Sequence, residues 1–238
     1  TMYREKIEAY FADKQDQIVA DICRLIAIKS EREEAKPGMP FGEGPYNALM
    51  ESKKMAEEMG FTTKNFDNYV VSAELNDKPA YLGILAHMDV VSEGSGWTFP
   101  PYQGTVQDGR IYGRGSADDK GPAVVALWAA KAAREIEPNL TKGCRIILGS
   151  AEETGSEDLD YYLPKEPAPP VSFSPDAEYP VINIEKGGVN VELIHHGEDE
   201  DVEKFIEFAI TQSHYGKFNS GLFSFCFIFK CIRCIIFN

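Results

Sequence analysis

Apolar residues recur along this chain in two rhythms, one helical and one strand-like. Between residues 3 and 28, Ile7, Tyr10, Phe11, Ile18, Ile22, Leu25 and Ile26 fall mostly at helical spacing, which predicts one long amphipathic helix. A Pro- and Gly-rich loop covers 31–45, and a second helix from about Tyr46 ends at Gly60, where a C-terminal glycine belongs. Strands are expected at about 61–66, 69–75 and 81–86. The last of these, Tyr81-Leu82-Gly83-Ile84-Leu85-Ala86, is nearly continuous in apolar residues and reads as a central strand covered on both faces. The long segment 88–110 reads as a loop that shapes a site, and the alanine-rich run from Ala123 to Ala133 as a helix. A further buried strand is expected at 144–149, with others at 171–174, 180–185 and 188–195. Buried strands alternating with helices predict an α/β fold: a mixed, mostly parallel sheet sandwiched by helices.

Composition narrows what such a fold can do. With 238 residues, 43% hydrophobic and 26% charged, the chain has the make-up of a globular protein with a sizeable core. Its 24 basic against 38 acidic residues leave a net charge of −14, which argues against nucleic acid and anionic membranes as partners. The five cysteines lack disulfide-like spacing and the polar start lacks the pattern of a signal peptide, so a reducing cytoplasm is expected. Cys231-x-x-Cys234 is half a zinc knuckle without a second pair, and reads as two thiols in an apolar segment. From about residue 211 the chain loses its charge, so 1–210 is read as the folded domain and 211–238 as an apolar tail. Lys230 and Arg233 interrupt that tail, and its unbroken apolar run is too short for a membrane span.

Candidate chemistry is concentrated in four strings: His87-Met88-Asp89, Asp118-Asp119-Lys120-Gly121, Glu152-Glu153-Thr154-Gly155 and Ser174-Pro175-Asp176-Ala177. Each follows a strand-like run, so each is expected at the carboxyl end of the sheet, where open α/β folds keep their sites. One imidazole with several carboxylates is a ligand set for a divalent cation, zinc first. His87 and Asp89 lie two apart, so the carboxylate can hold the second ring nitrogen of a metal-bound histidine. Asp118 and Asp119 have a competing reading as helix cap and first-turn acid, but Gly113, Gly115 and Gly121 crowd the same turn and point to close backbone approach. A phosphate loop is disfavoured, since no Gly-Lys-Ser/Thr string follows. In an acidic chain Glu152 and Glu153 read equally as a solvated loop, or as one metal ligand beside one proton acceptor.

Taken in order, His-Met-Asp-Val-Val with Trp97 downstream, Gly-Arg-Gly-Ser-Ala-Asp-Asp-Lys-Gly, Glu-Glu-Thr-Gly-Ser and Ser-Pro-Asp-Ala-Glu resemble the di-zinc peptidase and deacylase family. That family includes carboxypeptidase G, acetylornithine deacylase, aminoacylase and carnosinase. With Asp160-Tyr161-Tyr162 and Glu185-Lys186-Gly187, the likeness is strongest to bacterial dipeptidases of the PepV type, and it runs from about residue 5 to about 205. The resemblance implies that Asp118 bridges two zinc ions, that His87 and Asp176 bind one of them, and that Glu153 binds the other. It implies Glu152 as general base, Asp89 as the partner of His87, and a cis bond between Asp118 and Asp119. The implied reaction is hydrolysis of dipeptide amide bonds, with a small peptide as substrate; hydrolysis of N-acyl amino acids is the sibling reading.

The resemblance also implies what this chain departs from. Family catalytic domains take a late histidine for the second zinc from beyond an inserted lid domain, and neither matches anything here; His195, His196 and His214 match no ligand position. The expectation is therefore a truncated chain without the lid, with an incomplete second zinc site and weak or absent activity. A metal-binding remnant is the alternative to an enzyme, and unpaired apolar surface is expected to favour self-association. Manganese or cobalt is accepted by the same ligands as zinc.

Overall fold

The computed structural model describes residues 2–177. Its strands are β1 (Thr62–Phe66), β2 (Val70–Glu74), β3 (Ala80–His87), β4 (Thr105–Gln107), β5 (Arg110–Tyr112), β6 (Gly143–Gly149) and β7 (Val171–Phe173). The helices are α1 (Met2–Phe11), α2 (Gln15–Ile26), α3 (Glu43–Glu58), α4 (Lys120–Ile136) and α5 (Glu157–Tyr162). Five strands form one sheet in the order β1-β2-β6-β3-β7. β6 and β7 both pair parallel with β3, while β2 pairs antiparallel with β1 and with β6, so β2 alone is reversed. The expected mixed, mostly parallel sheet is therefore the one found. Parallel neighbours need a crossover, and α4 supplies the one between β3 and β6.

The two faces of β6 explain its continuous apolar run. Ile146 and Leu148 point into the larger core, with Leu25 and Ile26 of α2, Leu49 and Met55 of α3, and Val124 and Leu127 of α4. Ile147 points the other way, to Phe66, Val70 and the fully buried Tyr162 of α5. Alternation on a strand buried on both sides leaves Arg145, paired with Glu74 and Glu166, as its one polar side chain. Tyr162 meets the Phe66 ring edge-on at 4.8 Å, which pins α5 to the sheet.

Three expectations need correction. The single helix over 3–28 is two helices, α1 and α2, separated at residues 12–14. Ala12, Asp13 and Lys14 fall in the gap between Phe11 and Ile18, where the apolar pattern has no position to register a break. The segment 88–110 is not loop throughout, because Thr105–Gln107 pairs with Arg110–Tyr112 as a hairpin. Asp108 and Gly109 both take positive φ, 51° and 72°, the conformation that an Asp-Gly hairpin turn requires. Helix α3 begins at Glu43 rather than Tyr46, and Gly60 follows it with φ 83° as the expected left-handed stop. The strands expected at 180–185 and 188–195, the domain boundary at 210, and the apolar tail lie outside the described residues.

Candidate metal centre

Because β3, β6 and β7 run in the same direction, their carboxyl ends share one edge of the sheet. His87 is the last residue of β3 and stands in register with Gly149, the last of β6. Glu152 and Glu153 follow β6 in a short 3-10 turn, and Asp176 follows β7. Asp118 and Asp119 reach the same edge by another route. They do not follow a strand of the main sheet but enter from the β4–β5 hairpin through a glycine-rich turn that starts α4.

The side chains from these four segments meet. His87 Nε2 lies 3.1 Å from Asp118 Oδ1, 3.4 Å from Asp176 Oδ2 and 3.8 Å from Glu152 Oε2. Two sets of donor atoms each lie within 4.8 Å of one another: His87 with Asp118 and Glu153, and His87 with Glu152 and Asp176. His87 is 3% exposed, whereas the Asp118 side chain is 60% and that of Glu152 48% exposed. The imidazole is thus the floor of a carboxylate cluster open to solvent. The peptide bond between Asp118 and Asp119 is cis.

Buried groups fix the orientation of that imidazole. His87 Nδ1 faces the Asp89 carbonyl oxygen at 3.0 Å and the Asp89 carboxylate at 3.3 Å, which assigns a proton to Nδ1 and leaves Nε2 as the ring nitrogen that faces the cluster. The Asp89 carboxylate also accepts the N–H groups of Glu152 and Glu153, at 3.1 and 3.0 Å. One buried acid therefore ties the histidine to the glutamate turn. The His87 N–H donates to Asp119 Oδ2 at 3.0 Å. This corrects the capping reading for Asp119, which stands at the N-cap of α4 but makes no side-chain cap bond. Its carboxylate is turned to β3 instead, and its buried Oδ1 has no partner among the described residues.

The crowding of glycines in the turn has a steric cause. Gly115 takes φ 86°, and a Cβ on Gly121 would lie 2.0 Å from the Ser116 carbonyl oxygen. Since backbone cannot yield as a flexible side chain does, Gly121→Ala is expected to destabilise the fold by about 3 kcal/mol in urea unfolding. Unfolding midpoints unchanged from wild type would show that the turn adjusts freely.

The electrostatics of the cluster fit a divalent cation. Burial disfavours a charged imidazole at His87, but the carboxylates of Asp89, Asp119 and Glu152 outweigh it and push the ring up to about 10. Burial raises Asp119 to about 7, with Asp176 and Asp118 adding to the rise and His87 opposing it. Glu152 and Glu153 are raised as well, by burial first and by neighbouring carboxylates, Asp176 for Glu152 and Asp118 for Glu153. Acids held above their usual range around a histidine that keeps its proton form a site short of positive charge. One nitrogen and several carboxylate oxygens suit zinc, manganese or cobalt.

Comparison with known proteins decides the kinship. The sequence profile of peptidase family M20/M25/M40 matches residues 83–216, more than half of the chain. The chain belongs to this family. Among M20 relatives, the β-Ala-Xaa dipeptidase of Lactobacillus delbrueckii subsp. lactis is 42% identical over 200 residues, covering 83% of this chain and 42% of that protein. The putative dipeptidase YtjP of Bacillus subtilis is 38% identical over 183 residues, covering 76% of this chain and 40% of that protein. Human carnosine dipeptidase 1 superposes with a TM-score of 0.58 at 27% identity, covering 68% of this chain and 37% of that one. The chain thus spans about two fifths of the length of the curated relatives it matches.

Two residues of the centre escaped the sequence reading. Lys120 is fully buried, and its ammonium donates to the carbonyl oxygens of Leu25 and Ile28 at 3.0 and 2.6 Å, closing the end of α2. Burial pushes it down to about 7. It was visible in the string that begins at Asp118, but nothing there says that a lysine points inward. Asp158 is the other, and it stands behind the glutamate turn, accepting the N–H of Ser150 and of Ala151.

Proposed function

We propose that His87, Asp118, Glu153 and Asp176 hold a pair of zinc ions, and that Glu152 is the general base for hydrolysis of dipeptide amide bonds. The observation that carries this is the convergence of three carboxylate oxygens on the Nε2 of a single buried histidine, from separate segments of the chain. Bound zinc would polarise the scissile carbonyl and lower the pKa of water, which is the chemistry the site needs for an amide. Asp118, which stands with His87 and Glu153 in one donor set, is the residue we read as shared between the ions, as the family resemblance implies. Asp89 and Asp119 hold His87 in position through its ring and its amide. Glu152, half-exposed beside the cluster, takes a proton from the attacking water and returns it to the leaving amine nitrogen, while the carbonyl carbon gains the hydroxyl.

Dipeptides are the proposed substrates because two relatives at 38% and 42% identity are named as dipeptidases. A cytoplasmic location belongs to the same proposal, supported by the free thiols of Cys23 and Cys144. Among the described residues no helix is long and apolar enough to cross a membrane. The test is metal content together with turnover on the purified chain. Two equivalents of zinc with release of free amino acids from dipeptides, abolished by chelation and restored by zinc, would show a complete centre, whereas one equivalent with weak turnover is the result that the expected incomplete second site predicts. Cleavage of N-acetyl amino acids but not dipeptides would replace the substrate class. Zinc without any turnover would remove the hydrolytic reading and leave the metal centre, and no zinc would remove both.

A further inference from the structure

The four successive amides that follow β6 are held by two buried carboxylates. Ser150 and Ala151 donate to Asp158 Oδ2 at 2.5 and 3.1 Å, and Glu152 and Glu153 donate to the two oxygens of Asp89. Asp158 is 1% exposed, although it sits in an acidic run, Glu157-Asp158-Leu159-Asp160. Its other oxygen takes the N–H of Leu159 at 2.8 Å. Space for this carboxylate exists because residue 149 is glycine: a Cβ there would lie 2.4 Å from Asp158 Oδ2. Helix α5, which carries Asp158, is in turn fixed by Tyr162 packed against Phe66, Val70 and Ile147. A continuous set of contacts therefore leads from the core through α5 and Asp158 to the turn that presents Glu152 and Glu153.

We infer that Asp158 is a positioning residue of the metal centre: its carboxylate, by holding the amides of Ser150 and Ala151, sets where the turn places the Glu152 and Glu153 side chains. This rests on the proposed reading of Glu153 as a ligand and Glu152 as the base. Hydrogen bonds to an ionised acceptor are roughly twice as strong as neutral ones, and two adjacent amides converging on one oxygen exploit that charge. An asparagine keeps the shape, loses the charge, and can satisfy the pair only with its single carbonyl oxygen.

The test compares zinc affinity, by competition with a chromophoric chelator, and the visible spectrum of the cobalt-loaded protein across three variants. Asp158→Asn is expected to lose about 10–100-fold in zinc affinity, the range for residues that orient metal ligands, and to shift the cobalt bands. Gly149→Ala displaces the same carboxylate without altering its charge and is expected to act in the same direction, which keeps the test alive should Asp158→Asn fail to fold. Tyr162→Phe removes only the contact from Arg145 to its hydroxyl, keeps the ring packed against Phe66 so that α5 and the carboxylate stay in place, and is expected to bind zinc as wild type does. Wild-type affinity in folded Asp158→Asn and Gly149→Ala would overturn the inference, as would an equal loss in Tyr162→Phe. Absence of zinc from the wild-type chain would instead overturn the metal reading, and the inference with it.

Discussion

His87→Ala is expected to lower zinc affinity by more than about 100-fold, because it removes a ligand outright and 100-fold is already the upper range for losing a residue that merely supports one. Both donor sets on the edge of the sheet contain His87, so no second set among the described residues can take over. The loss should appear twice: in direct titration, and in the disappearance of the thermal stabilisation that saturating zinc gives the wild-type chain, since a ligand stabilises only the state that binds it. At zinc a hundredfold above its dissociation constant that stabilisation is about 2.7 kcal/mol. Equal zinc-dependent shifts in melting temperature for His87→Ala and wild type would place the metal elsewhere.

Glu152→Gln separates binding from proton transfer. Glutamine keeps the size of the side chain and its backbone bond to Asp89 but cannot accept the proton of the attacking water. Turnover is therefore expected to fall by about 10²–10⁴-fold, the usual contribution of a positioned acid or base, with zinc content near wild type. The contact of Glu152 Oε2 with the imidazole, 3.8 Å, and its membership of a donor set with Asp176 make the opposite result informative. Should zinc leave together with turnover, Glu152 is a ligand and the role of base passes to its neighbour.

Much of the sheet was legible because buried strands announce themselves by composition. Residues 81–86 and 144–149 are apolar but for Tyr81 and Arg145, and apolar clusters pack on both faces of the sheet they form. The four chemical strings were legible for a related reason, since they end strands or open a helix and so share one edge. What escaped depended on tertiary register or on short-range turn chemistry. The break between α1 and α2 falls where the apolar rhythm is silent. The β4–β5 hairpin was signalled by Asp108-Gly109 but was masked by a segment otherwise rich in Gly and Pro. Asp158 could not be picked from the acidic residues around it, because what draws it inward is the absence of a side chain at Gly149, on another element. Asp119 looked like a cap by position, and only the proximity of the His87 amide shows that its carboxylate serves another strand.

Anomalous diffraction from crystals of the zinc-loaded chain tests most directly whether side chains from four segments close around cations. The account predicts zinc peaks about 2.0–2.2 Å from His87 Nε2 and from carboxylate oxygens of Asp118, Glu153 and Asp176. Peaks at Cys231 and Cys234, or at His195 and His196, with nothing beside His87, would contradict it.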